Sequence, residues 1–293
     1  MKKIIFYLAL ALATGIIFGG CGGGDGSSGS SGTASMNVTD AKPVLPAGVL
    51  KVLITFDEVS VHKSGGGWTS LPLPKTPFEI DLYQFIEGKT TQLVPPVQLE
   101  SGKYTQVRIG VISATLVTST GNYPMQIPSE NLKTDKNFEF TVVGGGAVDL
   151  TVDFDLSQSI VVTGTGTYQL KPVLHIVDTK EATTIKGTIN WGSSTEEEVT
   201  VIVTWNKYNP ETGTCQEPNL SDPNTDEVYT KILVQKTDPS PFQIFWLVPG
   251  EGYFVQALWG NPDDPASCSN PIYVGPGALG SGAVYDLGAV NPS

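Results

Sequence analysis

The sequence is poor in the side chains that bind transition metals and in basic residues. Its 293 residues include only two His and three Cys, which leaves little material for a zinc, haem or iron–sulfur site. Lys and Arg total 17 against 29 Asp and Glu. If the first twenty residues are removed as a signal, 15 basic residues remain against 29 acidic ones, a net charge of −14. So acidic a surface repels phosphates, which excludes nucleic acid as a partner.

The sequence patterns of the common catalytic classes are also missing. The chain has no HExxH helix, no GxSxG elbow and no P-loop, because Gly88-Lys89-Thr90 lacks the preceding Gly at the right spacing. His62 and His175 each lie in a strand-like run with no identifiable partner, and the default interpretation is a strand histidine. We therefore predict that the protein is not an enzyme. No cofactor is implied, with calcium alone left open.

The pattern of apolar residues favours strands over helices. The 33 Gly and 21 Pro are too many for a helix-rich protein, and only 16% of residues are charged. From Val49 onward apolar residues alternate with polar ones, and turn formers such as Gly144-Gly145-Gly146 end the runs. No window of twelve or more residues carries a helical period. We predict an all-β fold of two consecutive β-sandwich domains.

The N-terminus has the features of a secretory signal. Lys2 and Lys3 precede an apolar run over residues 4–18, which is short for a bilayer-spanning helix. Cys21 follows two glycines and resembles the Cys of a bacterial lipobox, although Phe18 departs from the usual Leu. We predict a lipoprotein signal peptide over residues 1–20 and acylation, such as palmitoylation, of Cys21. The alternative is an ordinary signal that leaves Cys21 as a stray thiol.

The segment after Cys21 predicts a tether. Residues 22–35 are almost all Gly and Ser and cannot bury apolar area, so we assign residues 21–34 to the acylated Cys and a flexible linker. The anchor would bind the lipid bilayer. Gly22 after the Cys favours the outer membrane by the sorting habit of Gram-negative lipoproteins. The predicted location is the cell envelope, with the folded body either periplasmic or exposed at the surface.

Two folded units follow the tether. The hydrophilic stretch Asp178-Thr179-Lys180-Glu181 is the best boundary, which places the domains at residues 35–178 and 183–293. The join is too short to let the two domains separate widely.

Several motifs of the first unit occur in the same order as in a known family. They are Ser35-Met36-Asn37-Val38-Thr39-Asp40-Ala41, Phe56-Asp57-Glu58-Val59-Ser60-Val61-His62, Tyr104-Thr105-Gln106-Val107-Arg108, Asp153-Phe154-Asp155, Ser159-Ile160-Val161-Val162-Thr163-Gly164 and Leu170-Lys171-Pro172-Val173-Leu174. This stretch resembles the lipoprotein-associated domain DUF4382. The resemblance implies a cell-surface β domain and no particular biochemical activity.

The second unit is similar, more weakly, to transthyretin-like and carboxypeptidase-regulatory-like sandwiches. Its Gly187-Thr188-Ile189 start and the hairpin around Val248-Pro249-Gly250 carry the resemblance. Such folds are grouped with carbohydrate-binding-like domains, which is an analogy of fold alone.

Cys215 and Cys268 are the only other cysteines. Outside the cytoplasm, a pair without metal-ligand spacing predicts a disulfide, and two free thiols are the alternative. The bridge would close a loop of about 53 residues and stabilise the fold by about 4 kcal/mol on the chain-entropy model.

Inside that loop, Asp222, Asn224 and Asp226 occupy alternate positions, as in the first half of an EF-hand calcium loop. The pattern then fails, because Glu227 stands where Gly is needed and Leu233 where the bidentate Glu should be. A calcium site and a solvated polar loop with Asx turns both stay open.

A second acidic group is Asp149, Asp153 and Asp155, which fall on one face of a predicted strand. Three carboxylates at a period of two repel one another unless they are solvated, hydrogen-bonded or bridged by a cation. The two interpretations are an exposed acidic face and a divalent-cation site.

Four of the five Trp lie in the second unit. The pairs Phe245-Trp246 and Tyr253-Phe254 cannot both point inward on a regular strand, so one ring of each pair is expected to face outward. Trp246, Tyr253 and Trp259 are the candidate ligand-binding residues, since exposed rings can stack on sugars. A domain–domain interface explains outward rings equally well.

The sequence therefore predicts a membrane-anchored envelope lipoprotein that acts by binding or structural attachment. One alternative is a carbohydrate-binding surface module, with or without calcium. The other is a scaffold component of an envelope assembly that contacts another envelope protein.

Overall fold

The computed structural model describes residues 30–41, 43–128, 131–133, 138–206, 208–209, 214–215, 228–259 and 272–292. For residues 131–133, 206, 208–209, 214–215 and 276 it describes the backbone alone. The all-β prediction is confirmed, because strands make up nearly all of the regular structure in these ranges. None of the described helices has the length and apolar character that a membrane crossing requires.

The strands divide into two groups along the chain. The first group is β1 (Ser31–Thr39), β2 (Val49–Lys63), β3 (Trp68–Leu71), β4 (Phe78–Asp81), β5 (Thr91–Glu100), β6 (Gly102–Thr118), β7 (Gly121–Pro124), β8 (Asn131–Lys133), β9 (Phe140–Val142), β10 (Ala147–Phe154), β11 (Ile160–Val162), β12 (Tyr168–Leu170) and β13 (Leu174–Asp178). The second is β14 (Thr183–Ile189), β15 (Glu198–Asn206), β16 (Tyr208–Asn209), β17 (Thr214–Cys215), β18 (Val228–Gln235), β19 (Pro241–Leu247), β20 (Gly252–Trp259), β21 (Ile272–Val274) and β22 (Val284–Val290). A short helix, α1 (Leu156–Ser159), follows β10, and 3-10 turns occupy Leu82–Gln84 and Pro276–Ala278.

The first sandwich consists of β1 to β13. A four-stranded sheet in the order β13-β10-β1-β5 packs on a larger sheet built around the long pair β2 and β6. Met36 and Leu150 from the small sheet share one buried cluster with Ile54 and Ile109 from the large one. The alternation of apolar and polar residues along these strands places one side chain in two against this core.

The second sandwich consists of β14 to β22. A three-stranded sheet, β19-β14-β22, faces a four-stranded sheet, β18-β15-β20-β21. Ile185 and Ile244 of the small sheet share a second buried cluster with Val201 and Val255 of the large one. In both sandwiches the first strand is central in the small sheet and has one parallel neighbour, β10 for β1 and β22 for β14.

The first strand begins earlier than the composition predicts. β1 starts at Ser31, inside the segment assigned to the flexible tether, and pairs with both β5 and β10. Gly32 is a packing residue here, because a Cβ at this position would collide with the Val143 carbonyl oxygen. Glycine permits this close approach of two backbones, whereas in a linker it only adds freedom.

Strand β5 is one that the sequence does not predict, because it contains Pro95 and Pro96. Prolines are tolerated at a sheet edge, and β5 is an edge strand of the four-stranded sheet. The pairing with β1 shifts register between Ala34, which faces Val97, and Met36, which faces Val94. The two prolines therefore lie at a bulge, where a missing N–H removes no ladder hydrogen bond.

Candidate functional site

The structure separates the acidic group Asp149, Asp153 and Asp155. Asp149 and Asp153 lie on one face of β10, four residues apart and hence about 13 Å along the strand. Asp155 has left the strand and is the N-cap residue of α1. The expectation of an exposed acidic face is wrong for Asp153 and Asp155, whose exposures are 1% and 0%.

A third carboxyl group, that of Asp40, joins Asp153 and Asp155. β1 and β10 run parallel with Thr39 opposite Asp153, so the ends of the two strands meet at one edge of the sheet. Asp40 is 1% exposed and its Oδ1 accepts a hydrogen bond of 3.0 Å from the backbone N–H of Leu156. Sequence reasoning missed Asp40, because only the parallel pairing brings residues 113 positions apart together.

The hydrogen bonds of this acidic group are unevenly distributed. Both oxygens of Asp155 are used, Oδ1 by the backbone N–H of Gln158 at 3.0 Å and Oδ2 by its side-chain amide at 2.9 Å. By contrast, Oδ2 of Asp40 and Oδ1 of Asp153 are buried without a hydrogen-bond partner among the residues that the structure describes. A buried ionised carboxylate without partners is costly, so protonation is favoured at these two residues.

The pKa values follow from this burial. Loss of solvent raises the pKa of Asp153 to about 8, and the neighbouring charge of Asp155 contributes. Burial likewise raises the pKa of Asp40 well above its usual range, and the charges of Asp153 and Asp155 raise it further. Burial also raises the pKa of Asp155, against the lowering effect of the Gln158 hydrogen bonds and of His175. Asp153 is therefore mostly protonated at neutral pH, and Asp40 keeps its proton to a higher pH than an exposed aspartate would.

The second sandwich covers this acidic group through Tyr229 of β18. The Tyr229 carbonyl oxygen accepts hydrogen bonds of 2.9 Å from the side-chain amide of Gln158 and from Nε2 of His175. Because a carbonyl oxygen only accepts, Nε2 of His175 carries the proton. The His175 ring also stacks on the Tyr229 ring, with centroids 4.0 Å apart. We call these six residues the junction: Asp40, Asp153, Asp155, Gln158, His175 and Tyr229.

Further contacts join the two sandwiches around the junction. The Ser157 hydroxyl donates to the carbonyl oxygen of Lys231 at 3.1 Å. Ala41 packs against the apolar core of the second sandwich. A Cβ at Gly88 would lie 3.1 Å from the ring of Phe245, so the loop before β5 also touches the second sandwich closely. The polar junction is thus surrounded by direct contacts between the two cores.

The candidate ligand-binding aromatics are not exposed together. Tyr253 is fully buried and packs against Trp205 and Tyr229, so its ring offers no face to a ligand. Trp246 and Trp259 are half-buried. Trp246 has a φ of 64°, at a register irregularity between β14 and β19.

The expectation that one ring of the pair Tyr253-Phe254 faces outward is wrong. Their exposures are 0% and 8%, because β20 is covered on both faces. Tyr253 points into the main core of the second sandwich, whereas Phe254 packs beside Tyr273 on the opposite face, with ring centroids 5.1 Å apart. Of the other pair, Phe245 lies against Gly88 of the first sandwich, as a domain interface predicts.

Several predicted site residues lie outside the described residues. They are the acylation site Cys21, the calcium candidates Asp222, Asn224 and Asp226, and Cys268 of the proposed disulfide. For Cys215 the structure describes only the backbone, in β17 opposite Tyr208. Within the described part of the chain, no three His, Cys, Asp or Glu side chains are grouped so that they could hold a metal ion.

Four of the six junction residues lie within a stretch that matches a known family. Residues 31–172 match the family model described as Domain of unknown function (DUF4382). We call this stretch the DUF4382 domain, after the family model that it matches. It begins where β1 begins and ends before β13, so it contributes Asp40, Asp153, Asp155 and Gln158 to the junction but not His175.

Three solved structures are similar to the chain. A leucine-rich repeat protein from Bacteroides thetaiotaomicron has 13% identity and a TM-score of 0.22, with 90% of this chain and 26% of that chain covered. The Bacillus anthracis TIE protein has 10% identity and a TM-score of 0.20, with 89% and 34% covered. The fimbrial anchor protein Mfa2 from Porphyromonas gingivalis has 9% identity and a TM-score of 0.18, with 76% and 78% covered.

This chain therefore spans about a quarter of the length of the first structure and about a third of the second. None of the curated proteins compared with the chain matches it.

Proposed function

We propose that this chain is a lipid-anchored protein of the cell envelope that acts by binding or structural attachment, without catalysis. The observation that carries the proposal is the direction of β1. It begins at Ser31, ten residues after the predicted acylation site Cys21, and it ends beside Asp40 at the junction. Nine residues of strand span about 30 Å, so an anchor at Cys21 would hold the DUF4382 domain by the end opposite the second sandwich.

The contacts at the junction support a stiff connection between the two sandwiches. Two side chains of the first sandwich donate to the carbonyl oxygen of Tyr229, and that residue is fully buried. Moving one sandwich relative to the other would break these hydrogen bonds and expose the buried carboxyl groups to solvent. A stiff body of two sandwiches would carry the second one away from the membrane as a unit.

One observation favours the scaffold alternative over glycan binding by the second sandwich. β22 ends the three-stranded sheet, and within the described residues its outer edge pairs with no further strand. Val284 on β22 is 61% exposed. An open strand edge with an exposed apolar residue is a surface that another protein can extend. The burial of Tyr253 removes one of the three rings that a sugar site there would use.

The anchor is tested by replacing Cys21. Cells expressing the wild type or Cys21→Ala are labelled with a clickable palmitate analogue and separated into membrane and soluble fractions. The proposal expects the variant to lose the label and the wild type to carry it in the membrane fraction. Ser28→Ala in the predicted tether is the matched control, since it changes one residue near Cys21 but leaves both the acylation site and the predicted disulfide in place. Equal labelling of the Cys21→Ala variant would contradict the proposal.

Attachment to an envelope partner is tested by photo-crosslinking in intact cells. A photoreactive amino acid is placed at Val284 on β22 or at Val143, which is 64% exposed at the opposite end, close to Ser30. A scaffold role expects a discrete crosslinked protein from position 284 and none from position 143. Crosslinks that are equally diffuse at both positions would argue against a partner at this edge.

A further inference from the structure

Arg108 is the only arginine of the chain, and it lies outside the junction. It is on β6 of the DUF4382 domain, opposite Ser60 of β2. Its guanidinium carbon is 4.1 Å from the ring centroid of Trp68 on β3. The His62 ring meets the same indole edge-on, with centroids 5.2 Å apart. The cation is thus held against an aromatic ring on the outer face of the large sheet.

The guanidinium has unused donors. Within the described residues the Arg108 side chain forms no ion pair and no hydrogen bond, although the guanidinium offers five N–H groups. Its Nε is buried without a partner, and the neighbouring Ser60 hydroxyl, on a residue 2% exposed, is also buried without one. Neither Nη atom of Arg108 is among the buried atoms that lack a partner, so the Nη end of the guanidinium is accessible to solvent.

A guanidinium without an ion pair among the described residues is unexpected in so acidic a chain. Asp57 and Glu58 are close along β2, yet neither forms an ion pair with Arg108. The planar fork of arginine suits a carboxylate, which it can bind through two parallel hydrogen bonds. The ring of Trp68 packs against the guanidinium, with 4.1 Å between its centroid and the guanidinium carbon. The two nearby acids disfavour ligands with more than one negative charge, such as phosphate dianions.

The aromatic part of the site defines the rest of the ligand. Trp68 is 36% exposed and offers ring surface beside the cation. His62 contacts Thr105 through Nδ1 at 3.4 Å, which leaves Nε2 free among the described residues to bond a ligand hydroxyl. An exposed indole next to polar donors is suited to the apolar face and the hydroxyls of a sugar ring.

We infer that Arg108, Trp68 and His62 form a binding site for a carboxylated sugar, a uronate unit bearing one negative charge. Arg108 binds the carboxylate, Trp68 packs against the ring and His62 bonds a hydroxyl. The inference goes beyond the proposed function, because it names a ligand and a site on the first sandwich that do not depend on the lipid anchor or on β22.

Calorimetric or saturation-transfer NMR titration of the purified full chain in detergent tests the site. The probes are galacturonate, its neutral methyl ester, acetate and sulfate. For a ligand of this size we expect galacturonate to bind with a Kd of about 1 mM. Loss of the charge-assisted pair should weaken binding at least about tenfold for the methyl ester and for Arg108→Gln. Arg108→Lys keeps the charge but not the fork and should also bind less tightly.

Folding and specificity are controlled separately. Trp68→Leu should weaken galacturonate binding, whereas Trp191→Phe in the second sandwich should not, and thermal unfolding by circular dichroism confirms that each variant is folded. The inference is overturned if galacturonate does not bind the wild type. It is also overturned if acetate or sulfate binds as tightly as galacturonate, because the sugar ring then plays no part. Failure of the Cys21 or β22 experiments leaves these readouts unchanged.

Discussion

Asp149 and Asp153 are the same residue type on the same face of β10, yet their surroundings are opposite. Asp149 is half-buried and accepts hydrogen bonds from Ser35 at 2.7 Å and from Asn37 at 3.2 Å. Asp153 is fully buried, one of its oxygens has no partner, and its pKa is raised to about 8. The strand thus carries one half-buried aspartate that accepts hydrogen bonds from its neighbours and one fully buried aspartate whose raised pKa favours the protonated form.

The difference comes from what covers each end of the strand. At Asp149 the outer face of the sheet is partly open, and polar residues of β1 supply donors. Asp153 is buried, and it lies opposite His175, which stacks on Tyr229 of the second sandwich. Burial by a distant part of the chain therefore decides the protonation state, and the local sequence does not.

The largest expected effect follows from removing the cover over Asp153. Tyr229→Ala deletes a fully buried ring that packs on His175, Trp205 and Tyr253, and it should lower the free energy of unfolding by about 3 to 5 kcal/mol. Denaturant unfolding measures the change. Tyr229→Phe removes only the hydroxyl that donates to the Trp246 carbonyl, and it should cost about 1 kcal/mol.

Tyr123→Ala is the matched control, since that ring is 37% exposed. If both alanine variants lower the free energy of unfolding equally, the junction stabilises the fold no more than an exposed ring does.

The second effect is a pH dependence of stability. In the unfolded chain Asp153 has an ordinary pKa near 4, and in the folded chain its pKa is about 8, so between these values the folded state holds the extra proton. The free energy of unfolding should therefore fall as pH rises from about 4 to about 8, by up to about 1.4 kcal/mol per pH unit from this group. Asp40 and Asp155 act in the same direction.

Asp153→Asn should flatten this slope, because an amide mimics the protonated carboxyl group at every pH. Urea unfolding at several pH values measures it. Asp149→Asn serves as the control and should leave the slope as in the wild type. If both substitutions flatten it equally, the contrast between the two ends of β10 does not hold.

A smaller effect concerns the start of β1, at the end of the sheet far from the junction. Gly32→Ala would push a methyl group against the Val143 carbonyl oxygen and should cost about 1 to 3 kcal/mol. Gly164→Ala is a matched control, because a Cβ there meets nothing within 4 Å. Thermal unfolding of both variants compares them. If Gly32→Ala does not lower the stability, residues 31–34 behave as part of the flexible tether and not as the start of β1.

The smallest effect is expected at Asp149. Asp149→Ala removes the acceptor of Ser35 and Asn37 at a half-buried site, and it should cost about 1 to 2 kcal/mol. Chemical denaturation at pH 7 measures it. Because the effect comes from the lost hydrogen bonds to Ser35 and Asn37, we expect a similar loss at pH 6 and pH 8, unlike the effect of Asp153→Asn.

Much of the fold can be predicted from alternation along the chain. The strands around Val52, Val148, Val201 and Val255 appear where the two-residue period places them. β5 is not predicted, because Pro95-Pro96 indicates a turn in the sequence. The prolines are acceptable in a strand only because β5 is an edge strand with a bulge at this point.

The candidate sites are harder to predict than the fold. The junction needs Asp40 after β1, residues of β10 and α1, and residues of β13 and β18, which only the tertiary structure brings together. Arg108 is noticeable in the sequence because it is the chain's one arginine. That its side chain packs on Trp68 and leaves donors unused among the described residues is visible only in the tertiary structure.

By itself, the sequence determines the all-β class, the DUF4382 motifs and the excess of acidic residues, because these depend on composition and on a local period of two. The tertiary structure alone decides which carboxyl groups are ionised and which aromatic rings are exposed. The physical reason is that solvation depends on cover from segments far apart in the chain. Tyr229 packs on His175, which lies opposite Asp153 in the sheet, and no local pattern records a neighbour 76 positions away from Asp153.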